Sequence, residues 1–215
     1  GLTRALLETG ARVTAVEKDE RFRPLLDEVV AVSDRLSVIF DDALKVDEAR
    51  LAESSPAHVV SNLPYNVGTP LLIKWLTGPW TPKSLTLMFQ REVADRITEE
   101  PGEEAYGRLA VIVQATCAAR RVMDVPARAF SPPPKVESAV VRLEPLSERP
   151  SSQRLDALQK ITAAAFGQRR KMLRSSLKVL GGDALIEAAG IDPQARAEVV
   201  PVAGFLALAD AWLAA

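Results

Sequence analysis

Two residue types on which many small enzymes rely are almost absent from this chain. Its 215 residues include one cysteine, Cys117, and one histidine, His58. A single thiol rules out a disulfide framework and suits a reducing compartment. It ends the apolar run Val111-Ile112-Val113-Gln114-Ala115-Thr116-Cys117, the setting of a buried structural thiol rather than a nucleophile. One Cys and one His do not make a metal-ligand cluster. A Ser-His-Asp or Cys-His device would have to rest on His58 alone, so cofactor-free hydrolysis is a poor fit. No stretch approaches the run of about 18 apolar residues that a membrane-spanning helix needs. The net charge is −1, so no overall positive excess marks a polyanion partner. There is no internal repeat and no low-complexity tract.

What is present is a 47% hydrophobic chain, enough to bury a substantial core. Apolar β-branched runs at 12–17, 36–42, 58–61 and 84–89 alternate with helical patterns at 20–32, 46–53, 70–76 and 90–98. That alternation predicts an α/β fold with a parallel sheet and helices on both faces. Residues 107–119 read as a further helix. Residues 121–125 and 138–143 read as an antiparallel strand pair at the sheet's edge, joined by the proline-dense Phe130-Ser131-Pro132-Pro133-Pro134-Lys135. A Ser, Pro and charge-rich linker at 146–152 separates this part, 1–145, from an all-helical end, 153–215. Helices are expected there at 153–166, 169–180, 183–189 and 202–213. Charge is divided too: residues 146–215 carry a net +2 and residues 1–145 a net −3. Residues 1–8 read as the first turns of a helix with no strand before it, so a preceding strand belongs upstream.

The most informative segment is Asn62-Leu63-Pro64-Tyr65-Asn66, at the carboxyl end of a strand read as buried and parallel. In open α/β sheets that edge is where ligands bind. An amide side chain, a rigid turn and an aromatic ring suit methylation of adenine's exocyclic amine, a poor nucleophile because its lone pair is delocalised into the ring. Two acceptors aimed at its two hydrogens, the Asn62 side-chain oxygen and a backbone carbonyl fixed by Pro64, favour the pyramidal amine that attacks a methyl group. Tyr65 offers a face on which an extruded base can stack.

Two acids extend the pattern. Glu17 and Asp42 each follow a hydrophobic strand, on successive strands. An acid at the end of the second strand of a doubly wound fold accepts both ribose hydroxyls of an adenosine cofactor. One at the end of the third, with backbone from Ala43, can accept from the adenine amine. With Asn62 next, this row suggests S-adenosylmethionine and in-line displacement driven by proximity.

The stretches Asn62 to Pro70, Phe89-Gln90-Arg91-Glu92-Val93-Ala94-Asp95-Arg96, Tyr106-Gly107-Arg108-Leu109, Phe130 to Leu143 and Phe166-Gly167-Gln168-Arg169-Arg170-Lys171 together resemble the bacterial small-subunit rRNA adenine dimethyltransferases, the KsgA/RsmA family. The resemblance runs to about Leu208. It implies a Rossmann-like class I methyltransferase domain followed by a small helical C-terminal domain. It also implies S-adenosylmethionine as cofactor, and transfer of four methyl groups to two adjacent adenosines in a hairpin loop near the 3′ end of 16S rRNA, in the small ribosomal subunit or its precursor. On this resemblance Glu17 binds the cofactor ribose, Asp42 and Ala43 its adenine, and Asn62 both the methionine moiety and the target amine. Tyr65 and Phe130 clamp the target base beside Leu63 and Pro64, and Arg169, Arg170, Lys171, Arg174 and Lys178 touch RNA phosphates. The family's first strand and glycine-rich cofactor loop lie upstream of Gly1, so the cofactor pocket is expected to be incomplete in these residues. A monomeric cytoplasmic protein with no metal and no membrane partner is implied.

The basic residues have a reading of their own. Arg170, Arg174 and Lys178 recur at helical spacing with no acid among them, so they repel one another unless an anion covers them. Two rival functions remain: a methyltransferase of the antibiotic-resistance type acting on large-subunit rRNA, and a non-catalytic ribosome assembly factor.

Overall fold

A computed structural model describes residues 1–52, 56–64 and 66–215, in two compact units, Gly1–Pro56 and Ala57–Ala215. In the first unit α1 (Leu2–Glu8) leads through a tight turn at Gly10, φ 86°, into β1 (Val13–Glu17). A 3-10 turn and α2 (Arg23–Ala31) then carry the chain to β2 (Leu36–Phe40), and α3 (Glu48–Leu51) closes the unit. The two strands are parallel, from Val13 opposite Leu36 to Glu17 opposite Phe40. Asp19 starts the 3-10 turn by accepting from the Arg21 N–H. The Arg21 guanidinium on its carboxylate is the main reason its pKa falls to about 2. The helix expected at 46–53 is shorter at its start, and Glu53 lies outside the described residues.

The second unit is built on a four-stranded mixed sheet in the order β3-β4-β6-β5. Strand β3 (His58–Asn62) runs parallel to β4 (Ser84–Gln90), and β6 (Ser138–Pro145) is antiparallel to both β4 and β5 (Cys117–Val125). The antiparallel edge pair is thus as expected. Strand β3 is half-buried rather than buried. His58 sits exposed at its start, with Nδ1 2.7 Å from the buried Ser84 hydroxyl. Helices α4 (Gly68–Thr77), α5 (Arg91–Thr98) and α6 (Arg108–Gln114) connect the strands.

Two expected helices are interrupted. The one read over 107–119 stops at Gln114, because the chain pairs as strand from Cys117 opposite Pro145; at the helix end the Thr116 hydroxyl shares its proton between the carbonyls of Ile112 and Val113. The alanine-rich stretch that follows has no period to signal this. The helix read over 169–180 is a turn, a four-residue α8 (Leu173–Ser176) and a 3-10 turn at Lys178–Leu180. Here Leu173 N–H donates to the Ala195 carbonyl and Arg174 N–H to Pro193, which diverts the backbone from a continuous helical ladder. Arg170, Arg174 and Lys178 therefore do not line one helix face.

A hydrophobic cluster joins Tyr106, Ala110, Val111 and Ala115 to α7 (Ser152–Gly167), α9 (Gly182–Ala188) and α10 (Val202–Ala214). Phe166 packs against both Tyr106 and Phe205, with ring centroids 6.2 and 5.4 Å apart. The Tyr106 hydroxyl donates to the Val200 carbonyl at 2.9 Å, so its one polar group is satisfied in the interior. Cys117 is buried as expected, and that burial pushes its thiol pKa up.

Candidate active site

The site grows from the end of β3. Asn62 lies opposite Met88 in the parallel ladder and is exposed there. Leu63 is buried and pins the backbone just past the strand. The Pro64 carbonyl accepts from the N–H groups of Val67 and Gly68, at 3.1 and 3.0 Å, and so starts α4. Gly68 is required by space rather than by φ: a Cβ there would sit 2.9 Å from Phe89 Cε1. The short side chain lets the first turn of α4 close on β4, which fixes the Asn62 to Pro64 turn.

A second wall comes from the loop between β5 and β6. A 3-10 turn at Ala127–Ala129 is closed by Phe130 N–H donating to the Ala127 carbonyl at 3.2 Å. The proline run leads to Glu137, whose carbonyl accepts from Arg91 N–H at 3.0 Å and whose carboxylate accepts from the Arg91 guanidinium at 3.1 Å. These two contacts lash the loop to the end of β4. Between the walls lies an open cleft of about 350 Å³, lined by Asn62, Leu63, Pro64, Met88, Phe130, Pro132 and Pro134. Its size is at the lower end of small-ligand sites, and although every lining residue but Asn62 is apolar in type, the lining surface they expose is slightly more polar than apolar. Asn62, Leu63 and Pro64 thus meet Phe130, which is distant from them in sequence, in one place. Tyr65 lies outside the described residues.

The match to known proteins follows this geometry. The family model described as ribosomal RNA adenine dimethylase covers residues 1–213. The chain belongs to that family. This dimethylase-family chain is 80% identical over 214 residues to the ribosomal RNA small subunit methyltransferase A of Phenylobacterium zucineum, with 100% of the chain and 75% of that protein aligned. Its identity to the protein of the same name from Caulobacter vibrioides is 68%, covering 99% of the chain and 83% of the relative. Among solved structures, a dimethyladenosine transferase from Plasmodium falciparum superposes with a TM-score of 0.75 at 23% identity, over 92% of this chain and 80% of that one. The 23S rRNA methyltransferase ErmE reaches 0.66 at 24% identity, over 93% and 81%. Both share the Rossmann-like α/β fold with a helical C-terminal part, the fold class expected from the motifs.

In the dimethylase-family chain the two acids lie in the first unit. Glu17 is the last residue of β1, and its Oε1 accepts from the Asp19 N–H at 2.8 Å. Asp42 lies two residues beyond β2, in a turn where its Oδ1 accepts from Leu44 N–H at 3.0 Å across Ala43. Its Oδ2 meets Lys18 Nζ at 2.7 Å. The Lys18 hydrogen bond first, and the Leu44 N–H second, hold the Asp42 pKa below the usual carboxylate range, so it is ionised at neutral pH. Lys18 and the Arg91–Glu137 pair escaped the reading of the sequence, since nothing local marks either partner. Met88 could have been found, because it stands between the buried Leu87 and Phe89 and so faces the other side of β4.

Of the basic residues expected to touch RNA, Arg170, Lys171, Arg174 and Lys178 are exposed. Arg169 is engaged within the protein, with Nε 3.3 Å from Glu198 Oε2 and a further bond to the Glu104 carbonyl. Among the described residues no group of three or more His, Cys, Asp or Glu could hold a metal, and no helix is long and apolar enough to cross a membrane.

Proposed function

We propose that this protein transfers methyl groups from S-adenosylmethionine to the exocyclic amines of two adjacent adenosines in the 3′-end hairpin loop of small-subunit rRNA. The observation that carries the reading is the cleft that sets Asn62, Leu63 and Pro64 opposite Phe130 in a chain of the adenine dimethylase family. The high identity to relatives named for the small subunit favours that rRNA over the large-subunit alternative.

The residues fit the cofactor chemically. Glu17 has one carboxylate oxygen oriented by the Asp19 N–H and the other available to accept from a ribose diol. Asp42 keeps lone pairs for an adenine amine beyond those used by Lys18 and Leu44, with the Ala43 backbone beside it. Asn62 would contact the methionine end. When bound, the cofactor supplies an electrophilic methyl carbon.

The chain's own residues do the rest. Asn62 Oδ1 accepts one hydrogen of the target amine. Both lone pairs of the Pro64 carbonyl are taken by Val67 and Gly68, so the second acceptor is the Leu63 carbonyl, held by the Leu63–Pro64 peptide. These preorganised dipoles favour the pyramidal nitrogen of the transition state over the planar ground state. Phe130, with Tyr65, stacks on the extruded base and offsets part of the cost of unstacking it. The 153–215 part docks RNA through backbone charge, by Arg170, Lys171, Arg174 and Lys178, with Arg169 bracing them.

Incubating the full-length protein with labelled S-adenosylmethionine and small ribosomal subunits lacking the modification should put label into adjacent adenosines of the 16S rRNA. Complexes that form without incorporating label would make the protein an assembly factor instead. Label in large-subunit rRNA alone would transfer it to the other family branch.

A further inference from the structure

The proline loop that carries Phe130 has charges that the proposed chemistry does not use. Between residues 121 and 138 there are two acids, Asp124 and Glu137. Each is claimed by an arginine: Asp124 by Arg121 at 3.5 Å, Glu137 by Arg91 at 3.1 Å. Arg128, in the 3-10 turn just before Phe130, and Lys135, just after Pro134, are exposed and have no acidic partner among the described residues. Elsewhere in this unit Arg96, Arg142 and Arg154 each meet a carboxylate. Two uncompensated cations therefore bracket the wall of the cleft, on a segment stiffened by three prolines.

We propose that Arg128 and Lys135 form a phosphate clamp that grips the RNA backbone on the two sides of the nucleotide whose base enters the cleft. This rests on the proposed function and adds to it a binding site apart from the helical region. The physical need is plain. Extruding a base costs its stacking and pairing, and contacts to the flanking phosphates set register without reading sequence. Cations placed on the same rigid loop as the stacking ring couple the two: a strand gripped at its phosphates presents its base to Phe130. Arg offers a planar fork to one phosphate and Lys a point charge to the next.

The test uses full-length protein and small subunits, with R128A/K135A compared with wild type and with R120A. Arg120 is also exposed but lies opposite Arg142 in the middle of the strand pair, away from the cleft end where Val125 meets Ser138. The double variant should raise KM for subunits about tenfold or more with kcat within about threefold. It should also lower the slope of log affinity against log salt by about 0.7 for each lost phosphate contact on a single strand, and leave S-adenosylmethionine affinity unchanged. R120A should do none of these, and R128K/K135R should recover most of the affinity. If wild type methylates subunits while R128A/K135A keeps its KM and salt slope, the clamp is wrong and the function stands. If wild type does not methylate small-subunit RNA at all, it is the function that fails. An equal loss in R120A would reduce the effect to general surface charge and also overturn the clamp.

Discussion

The wall of the cleft that carries Asn62 is fastened largely by buried packing, whereas the wall that carries Phe130 is fastened by exposed groups. On the first, Leu63 is buried, the Pro64 carbonyl is doubly bonded, and Gly68 presses against Phe89 at a distance that admits no Cβ. On the second, the tie is Arg91 to Glu137, whose side chains are 45% and 55% exposed, supported by one backbone hydrogen bond. Under the proposed mechanism, an amide that meets a nitrogen's hydrogens tolerates little misplacement, and buried packing supplies that rigidity. In the stacking role proposed for Phe130, a ring has a broad energy surface and has to admit a nucleotide, so a lighter fastening suits it.

Four substitutions probe this contrast. Asn62→Ala should lower the rate of methyl transfer by on the order of a hundredfold or more, the scale for losing one preorganised polar group in a transition state. Near-normal single-turnover rates would remove Asn62 from the chemistry. Gly68→Ala should come next: its methyl meets the Phe89 ring, and forced repacking costs roughly 1–3 kcal/mol. Denaturant unfolding would read that cost, and the rate of transfer should fall with it. A variant that kept both would show that the first wall can yield. Phe130→Ala should lose about 1–3 kcal/mol of base stacking, seen as weaker substrate binding at intact cofactor affinity. Arg91→Ala should matter least, because an exposed ion pair contributes about 0–1 kcal/mol. Thermal melting should barely move, and KM for subunits should rise a few-fold. A loss in Arg91→Ala as large as in Gly68→Ala would erase the distinction between the walls.

Much of this was legible in the sequence because it is local. The β-α order follows from hydrophobic period, and Asn62, Leu63 and Pro64 sit at a strand end because the strand and the turn adjoin in sequence. What was not legible is decided at long range. The end of α6 depends on strand pairing between Cys117 and Pro145, against an alanine-rich stretch that would continue a helix equally well. The basic row at 170, 174 and 178 had helical spacing but not a helix, since hydrogen bonds to Pro193 and Ala195 override local propensity. The meeting of Phe130 with Asn62 depends on β6 lying between β4 and β5, an order that no single segment encodes.

The apolar cluster that links Tyr106 and α6 to α7, α9 and α10 bears on how this protein can be taken apart. Cutting after Pro150, where a composition-based boundary invites it, would strip the cover from Tyr106, Ala110 and Val111, and leave the Tyr106 hydroxyl without the Val200 carbonyl. The severed sheet portion would expose a greasy flank and tend to clump. A minimal soluble catalyst drawn from this chain must therefore keep its last helices, whatever they do for RNA.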